Sequence, residues 1–159
     1  MDAADVVCLS NIPLELKELN QWCLWQYEMH NNKQTKVPYQ PNGKHAKVND
    51  VGTYSSYNAV FESIGKYSGV GFIFTADDPY CFIDLDNCFR SEQARLIYEK
   101  FKIGSYCEFS PSGKGLHIIC KGIVSYRKRG SLSDGTGIEV YSSGRYATMT
   151  GKMYGPDNI

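Results

Sequence analysis

The sequence predicts an α+β domain with a mostly antiparallel or mixed sheet. Three observations predict it: amphipathic stretches alternate with β-rich runs early on, four short strand candidates follow one another near the end, and glycine-rich turns separate those four. At 159 residues, 42% hydrophobic and 21% charged, the chain is long enough for one domain with its own core. Residues 1–159 are therefore expected to form a single domain.

The elements follow in order. "SNIPLELKELN" predicts a short helix with Ser10 or Asn11 as N-cap and Pro13 in the first turn. "WCLWQYE" reads as an aromatic-rich strand. The polar stretch "MHNNKQTKVPYQPNGKHAKVND", broken by two prolines and Asn42-Gly43, is expected to be a loop. "TYSSYNAVFESIG" predicts a helix capped by Thr53 and stopped by Gly65. "GVGFIF" and "YCFIDLD" are two strands, joined into an expected hairpin by the turn residues of "TADDP". The clearest helix is "SEQARLIYEKF": Ser91 caps it, Glu92 suits its positive end, and Lys100 and Lys102 its negative end. "YCEFS", "LHIICKG", "GIEVYSS" and "RYATMTG" complete the set as strands.

Composition narrows the function classes. Seventeen basic residues balance seventeen acidic ones, which argues against indiscriminate nucleic-acid binding by a global positive field while leaving room for a local basic groove. No apolar run approaches the ~20 residues of a membrane span, so no membrane partner is expected. The acidic start "MDAADVV" lacks the basic region of a secretory signal. Six cysteines sit mostly in apolar, strand-like stretches without a CxxC pair, and are expected to be reduced and largely buried in a cytoplasmic protein.

The chemistry begins at "CFIDLDN". Alternation along a strand puts Asp84 and Asp86 on one face, about 6–7 Å apart. At an effective dielectric near 20, two carboxylates at that separation repel by about 2–3 kcal/mol. A divalent cation, a shared proton or solvent at a strand end would offset that cost. In "LHIIC", His117 lies opposite the face of Leu116, Ile118 and Cys120; in "GIEVY", Glu139 lies opposite Ile138 and Val140. If the three strands are neighbours, three carboxylates and an imidazole converge, and hard oxygen ligands suit Mg²⁺ or Mn²⁺ better than zinc. "SPSGKGLH" leads into the His117 strand: its glycines permit close backbone approach, and Ser110, Ser112 and Lys114 add donors for an anion, although a plain hairpin turn fits it too. The run Arg127-Lys128-Arg129 reads as a solvated loop, or else as a contact to a phosphate backbone.

Together these residues resemble the primase-polymerase domain of the archaeo-eukaryotic primase superfamily, in its phage and plasmid replication form. Asp84 and Asp86 match that family's DxD strand, Gly115-Leu116-His117 its small-x-His strand, and Glu139 its third acidic strand, followed by "SSGRYATMTG". The likeness runs from about Gln21 to Gly151 and takes in "QWCLWQYE…TKVPYQPNGKHA". It implies an N-terminal α/β module packed on an RRM-like module, with the active site between them. It further implies that Asp84, Asp86 and Glu139 hold catalytic Mg²⁺ or Mn²⁺, and that Ser110, Ser112, Gly113, Lys114 and His117 hold a nucleoside triphosphate. Lys36 and Arg145 would contact phosphates, and Tyr146 the base or sugar. The implied partners are DNA template and primer, nucleoside triphosphates, and a helicase domain or subunit. Because the chain stops soon after the third motif, it reads as an excised or minimal domain. A metal-dependent nuclease or phosphotransferase using the same acids, and a non-catalytic single-strand-binding or initiator-docking module, are the alternatives.

Overall fold

The computed structural model describes residues 2–155. Met1 and residues 156–159, which the expected single domain includes, lie outside the described residues. In chain order the elements are α1 (Ala3–Cys8), α2 (Leu14–Lys17), β1 (Trp22–His30), β2 (Lys33–Tyr39), α3 (Tyr57–Ser63), β3 (Gly69–Phe74), β4 (Tyr80–Asp86), α4 (Glu92–Phe101), β5 (Tyr106–Phe109), β6 (Leu116–Lys121), β7 (Lys128–Ser131), β8 (Gly137–Tyr141) and β9 (Arg145–Met149). The strands form two sheets, ordered β2-β1-β3-β9 and β5-β6-β4-β8-β7, and every recorded strand pairing is antiparallel. This is the α+β architecture expected from the sequence, with two sheets.

The inner faces of the sheets meet in one core. Phe72, Phe74, Ala147 and Met149 from the first sheet pack with Tyr80, Phe82, Tyr106, Ile119 and Tyr141 from the second. Removing such large side chains from water supplies about 1.5–3 kcal/mol each, which is why this interface fixes how the sheets sit. The other face of the second sheet, through Ile83, Leu85, Leu116 and Ile118, is covered by Ala94 and Tyr98 of α4. Strand β4 is thus apolar on the α4 side. Its other side carries Phe82, then Asp84.

Several local expectations are corrected. The stretch after β1 is not all loop: Asn31 and Asn32 both take positive φ (49° and 58°), the backbone of a type I′ turn, and β2 pairs with β1 over seven rungs. Its polar residues and Pro38 concealed it, and both are tolerated because β2 is an edge strand. Neither Ser10 nor Asn11 caps α2. Pro13 occupies that position, Ser10 donates to Val7 O, and the Asn11 amide donates to Gly151 O. Ser56 rather than Thr53 caps α3, accepting from Ala59 N.

The expected β3–β4 hairpin does not form, because the two strands lie in different sheets. Buried Asp78 accepts from Thr75 N, Tyr80 N and the Gln21 amide, and so pins the turn that carries the chain from one sheet to the other. The basic run is not a free loop either, since Lys128–Ser131 is an edge strand on β8.

Candidate active site

The site is built on one rung. Asp84 in β4 is directly opposite His117 in β6 on one side and Glu139 in β8 on the other, and Arg129 in β7 is opposite Glu139. Four adjacent strands therefore present the row His117, Asp84, Glu139, Arg129. Arg127, just before β7, enters the same cavity. From the first sheet, Lys36, Arg145 and Tyr146 close the opposite wall. A cavity of about 320 Å³ results, lined by Lys36, Asp84, His117, Arg127, Arg129, Glu139, Arg145 and Tyr146. Four cations and two carboxylates in so small a volume favour an anionic ligand with several charges.

Asp84 is deep enough that burial is the main influence on its carboxyl group. Burial pushes its pKa up, Asp86 and Glu139 add to the rise, and His117 and Lys36 oppose it. Its Oδ1 is buried without a hydrogen-bond partner, 3.8 Å from His117 Nε2. Lys36 is also shifted, downward by burial, with Asp84 and Asp86 pulling it back. Its ammonium lies 5.5 Å from the centre of the Trp25 ring. Glu139 is engaged: Arg127 Nε donates to its Oε1 at 2.7 Å, and Arg145 approaches the same atom at 3.8 Å. The Tyr146 hydroxyl donates to Lys36 O at 2.9 Å and ties the two wall residues together.

Asp86 shares the face of Asp84 but stands at the exposed end of β4. There it borders a neighbouring depression with Asn87, Arg90 and Asp134. Among the described residues, no three His, Cys, Asp or Glu side chains are gathered closely enough to enclose an ion as they stand.

The "SPSGKG" stretch forms the tight β5–β6 turn. Ser110 N donates to Gly115 O, Gly113 N to Ser110 O, Lys114 N to Ser112 Oγ and Gly115 N to Ser110 Oγ. Those four amides are thus spent inside the turn, while the side chains of Ser112 and Lys114 are exposed at its tip with Gly113, which has φ +69°. The turn is anchored to β4: a Cβ on Gly115 would come within 2.5 Å of Leu85 O, a contact that only glycine permits.

Sequence reasoning missed Glu108. Glu108 is fully buried, and its carboxylate accepts from Thr150 N (3.0 and 3.1 Å), Gly151 N (2.8 Å) and Tyr106 OH (2.8 Å). Backbone amides are obligate donors, so both oxygens act as acceptors. His117 Nδ1, 3.0 Å from Oε1, completes the set as a donor, which leaves Nε2 facing Asp84. A lone acid in "YCEFS" gives no hint of this, because apart from Tyr106 its partners arrive from β6 and from residues 150 and 151. Arg127 and Arg129, which the sequence left open as a solvated loop or a phosphate contact, both border the cavity.

No family model matches the chain. The chain is, however, 38% identical, over 156 aligned positions covering 91% of its length, to the DNA primase-polymerase of Nitratiruptor phage NrS-1. It spans 21% of that relative's length. The resemblance drawn from the motifs is thus matched by a homologue that carries the same name.

Proposed function

We propose that this chain, a homologue of a phage DNA primase-polymerase over about a fifth of that protein, is a nucleotidyltransferase module that joins nucleoside triphosphates on a DNA template and primer during replication. One observation carries the reading: the His117–Asp84–Glu139 rung, with Arg127 and Arg129 beside it, faces Lys36 and Arg145 across a single cavity. The strand order supports the archaeo-eukaryotic primase fold as well. β4, α4, β5, β6 and β8 follow the β-α-β-β-…-β connectivity of an RRM-like module, with spatial order β5-β6-β4-β8 and β7 in place of the second helix. The first sheet would supply the other module.

The acids fit hard divalent cations. Asp84 offers a buried oxygen that no hydrogen bond satisfies, and Asp86 and Glu139 are carboxylates on the same sheet face. Asp84, Asp86 and Glu139 would hold Mg²⁺ or Mn²⁺, which when bound supplies activation of a primer 3′-hydroxyl and neutralisation of the leaving pyrophosphate. The protein's own task is positioning and charge stabilisation. Arg127 and Arg145 exchange Glu139 for phosphate oxygens when a triphosphate enters, and in doing so free Glu139. His117, held through Nδ1 by Glu108, presents Nε2 to the reacting end of the cavity. Ser112, Gly113 and Lys114 reach the triphosphate from the turn beside Leu85, and Tyr146 borders the sugar or base.

The test is extension of a labelled primer by the 159-residue chain with deoxynucleotides or ribonucleotides and Mn²⁺. Asp84→Ala should lower extension at least ~100-fold with an unchanged circular dichroism spectrum. Wild-type extension by that variant overturns the assignment of Asp84. Shortening of the primer in place of growth would support the nuclease reading, and strand binding indifferent to nucleotide and metal would support the binding-module reading.

A further inference from the structure

Away from this cavity, on the α4-covered face of the second sheet, two cysteines meet. Cys81 in β4 and Cys120 in β6 are directly opposite in the antiparallel ladder. Directly opposed residues in such a ladder have Cα atoms about 4.5 or 5.5 Å apart, and both values lie inside the ~4.4–6.8 Å window of a disulfide. Both are free thiols.

Their surroundings differ in a useful way. Cys81 is 6% exposed and does not border the cavity that Cys120 lines. Cys120 is half-buried and lines a cavity of about 650 Å³ between α2, the end of α4 and β5–β6. One sulfur is therefore reachable by a small molecule while its neighbour is shielded from it.

We propose that Cys81 and Cys120 form an oxidisable dithiol, in which Cys120 is attacked first by a hydroperoxide and Cys81 resolves it to a disulfide. The Cys120 thiolate attacks one peroxide oxygen, the O–O bond breaks, and hydroxide or alkoxide leaves as Cys120 is oxidised to the sulfenic acid. The Cys81 thiol then attacks that sulfur; the S–O bond breaks, water departs with the Cys81 proton, and the S–S bond forms. The two electrons given up by the dithiol are those that reduce the peroxide.

The polarity of the pair agrees with these roles. The neighbouring Cys81 thiol holds the Cys120 thiol below its ordinary range, while Cys120 and burial push Cys81 up. Cys107, on the adjacent strand and bordering the same cavity, is the rival partner. It pairs with Ile118 rather than Cys120, and burial raises its pKa to about 11. The crosslink would span the two strands that carry Asp84 and His117, three rungs away and on the opposite face. It is independent of the reaction proposed above.

The experiment treats the folded 159-residue chain with limiting hydrogen peroxide, blocks residual thiols with iodoacetamide, and maps the peptides by mass spectrometry. The expected product is a Cys81–Cys120 linked peptide lighter by two hydrogens. Wild-type Cys120 should also alkylate with a pH midpoint below the ~8.5 of an ordinary thiol. Cys107→Ser should leave the crosslink intact, and Cys120→Ser should lose it. A Cys107–Cys120 link, accumulation of sulfinic acid at Cys120 without any link, or an ordinary alkylation midpoint in the wild-type chain would each overturn the proposal.

Discussion

Replacing Glu108 by alanine removes the acceptor for four donors at a point with no solvent exposure. Tyr106 OH can rotate and His117 can change tautomer, but the amides of Thr150 and Gly151 cannot turn away. A buried donor left unpaired costs about 1–3 kcal/mol, so the two amides alone cost about 2–6 kcal/mol. That is a large share of the ~5–15 kcal/mol that holds a domain folded. In urea, followed by the fluorescence of buried Trp22 and with a slope near 2 kcal/mol/M, the midpoint should fall by about 1–3 M.

Glu108→Gln makes the sharper test. Its amide keeps one oxygen, which the Gly151 and Thr150 amides require, and so its NH₂ must point at His117 Nδ1. The imidazole can then accept only by moving its proton to Nε2. Nitrogen-15 spectra of the ring should therefore report Nδ1–H in the wild type and Nε2–H in the variant. A urea midpoint within ~0.5 M of wild type for Glu108→Ala, or an unchanged tautomer in Glu108→Gln, would refute the reasoning.

Two further outcomes follow from packing and burial. Gly115→Ala drives a Cβ to 2.5 Å from Leu85 O and should cost about 1–3 kcal/mol by chemical denaturation; unchanged stability would mean that the turn is not anchored to β4. Burial raises the phenol pKa of both Tyr57 and Tyr80 to about 12. An unfolded tyrosine ionises near 10, so the protonated phenols stabilise the fold fully below about pH 10, and that contribution is lost as pH rises toward 12. Absorbance at 295 nm should show these two titrating late and together with unfolding, and early titration in an intact fold would contradict it.

The ends of α4 illustrate what local sequence can specify. Ser91 caps it by accepting from Ala94 N, as the sequence predicts, because capping needs partners only three residues away. The faces of β4, β6 and β8 were equally legible, since alternation assigns Asp84, His117 and Glu139 their sides without knowledge of the neighbours. The break between β3 and β4 was not legible, because it depends on Asp78 gathering donors from residues 21, 75 and 80. The edge strands β2 and β7 were hidden for a related reason: with one side facing water, they carry no apolar pattern to betray them.

By itself, then, the sequence determined the α+β class, most of the strands, and which residue types could do phosphate and metal chemistry on each. It also carried the likeness to primase-polymerases that a 38% identical relative bears out. Only the tertiary structure decided that Glu139 is engaged by Arg127, that Glu108 grips His117, and that Cys81 stands against Cys120. Local preferences and alternation act over a few residues and survive in the string of letters. Register between distant strands, and the burial that gives a carboxylate or thiol its character, arise only when segments far apart in the chain are brought to within a few ångströms of one another.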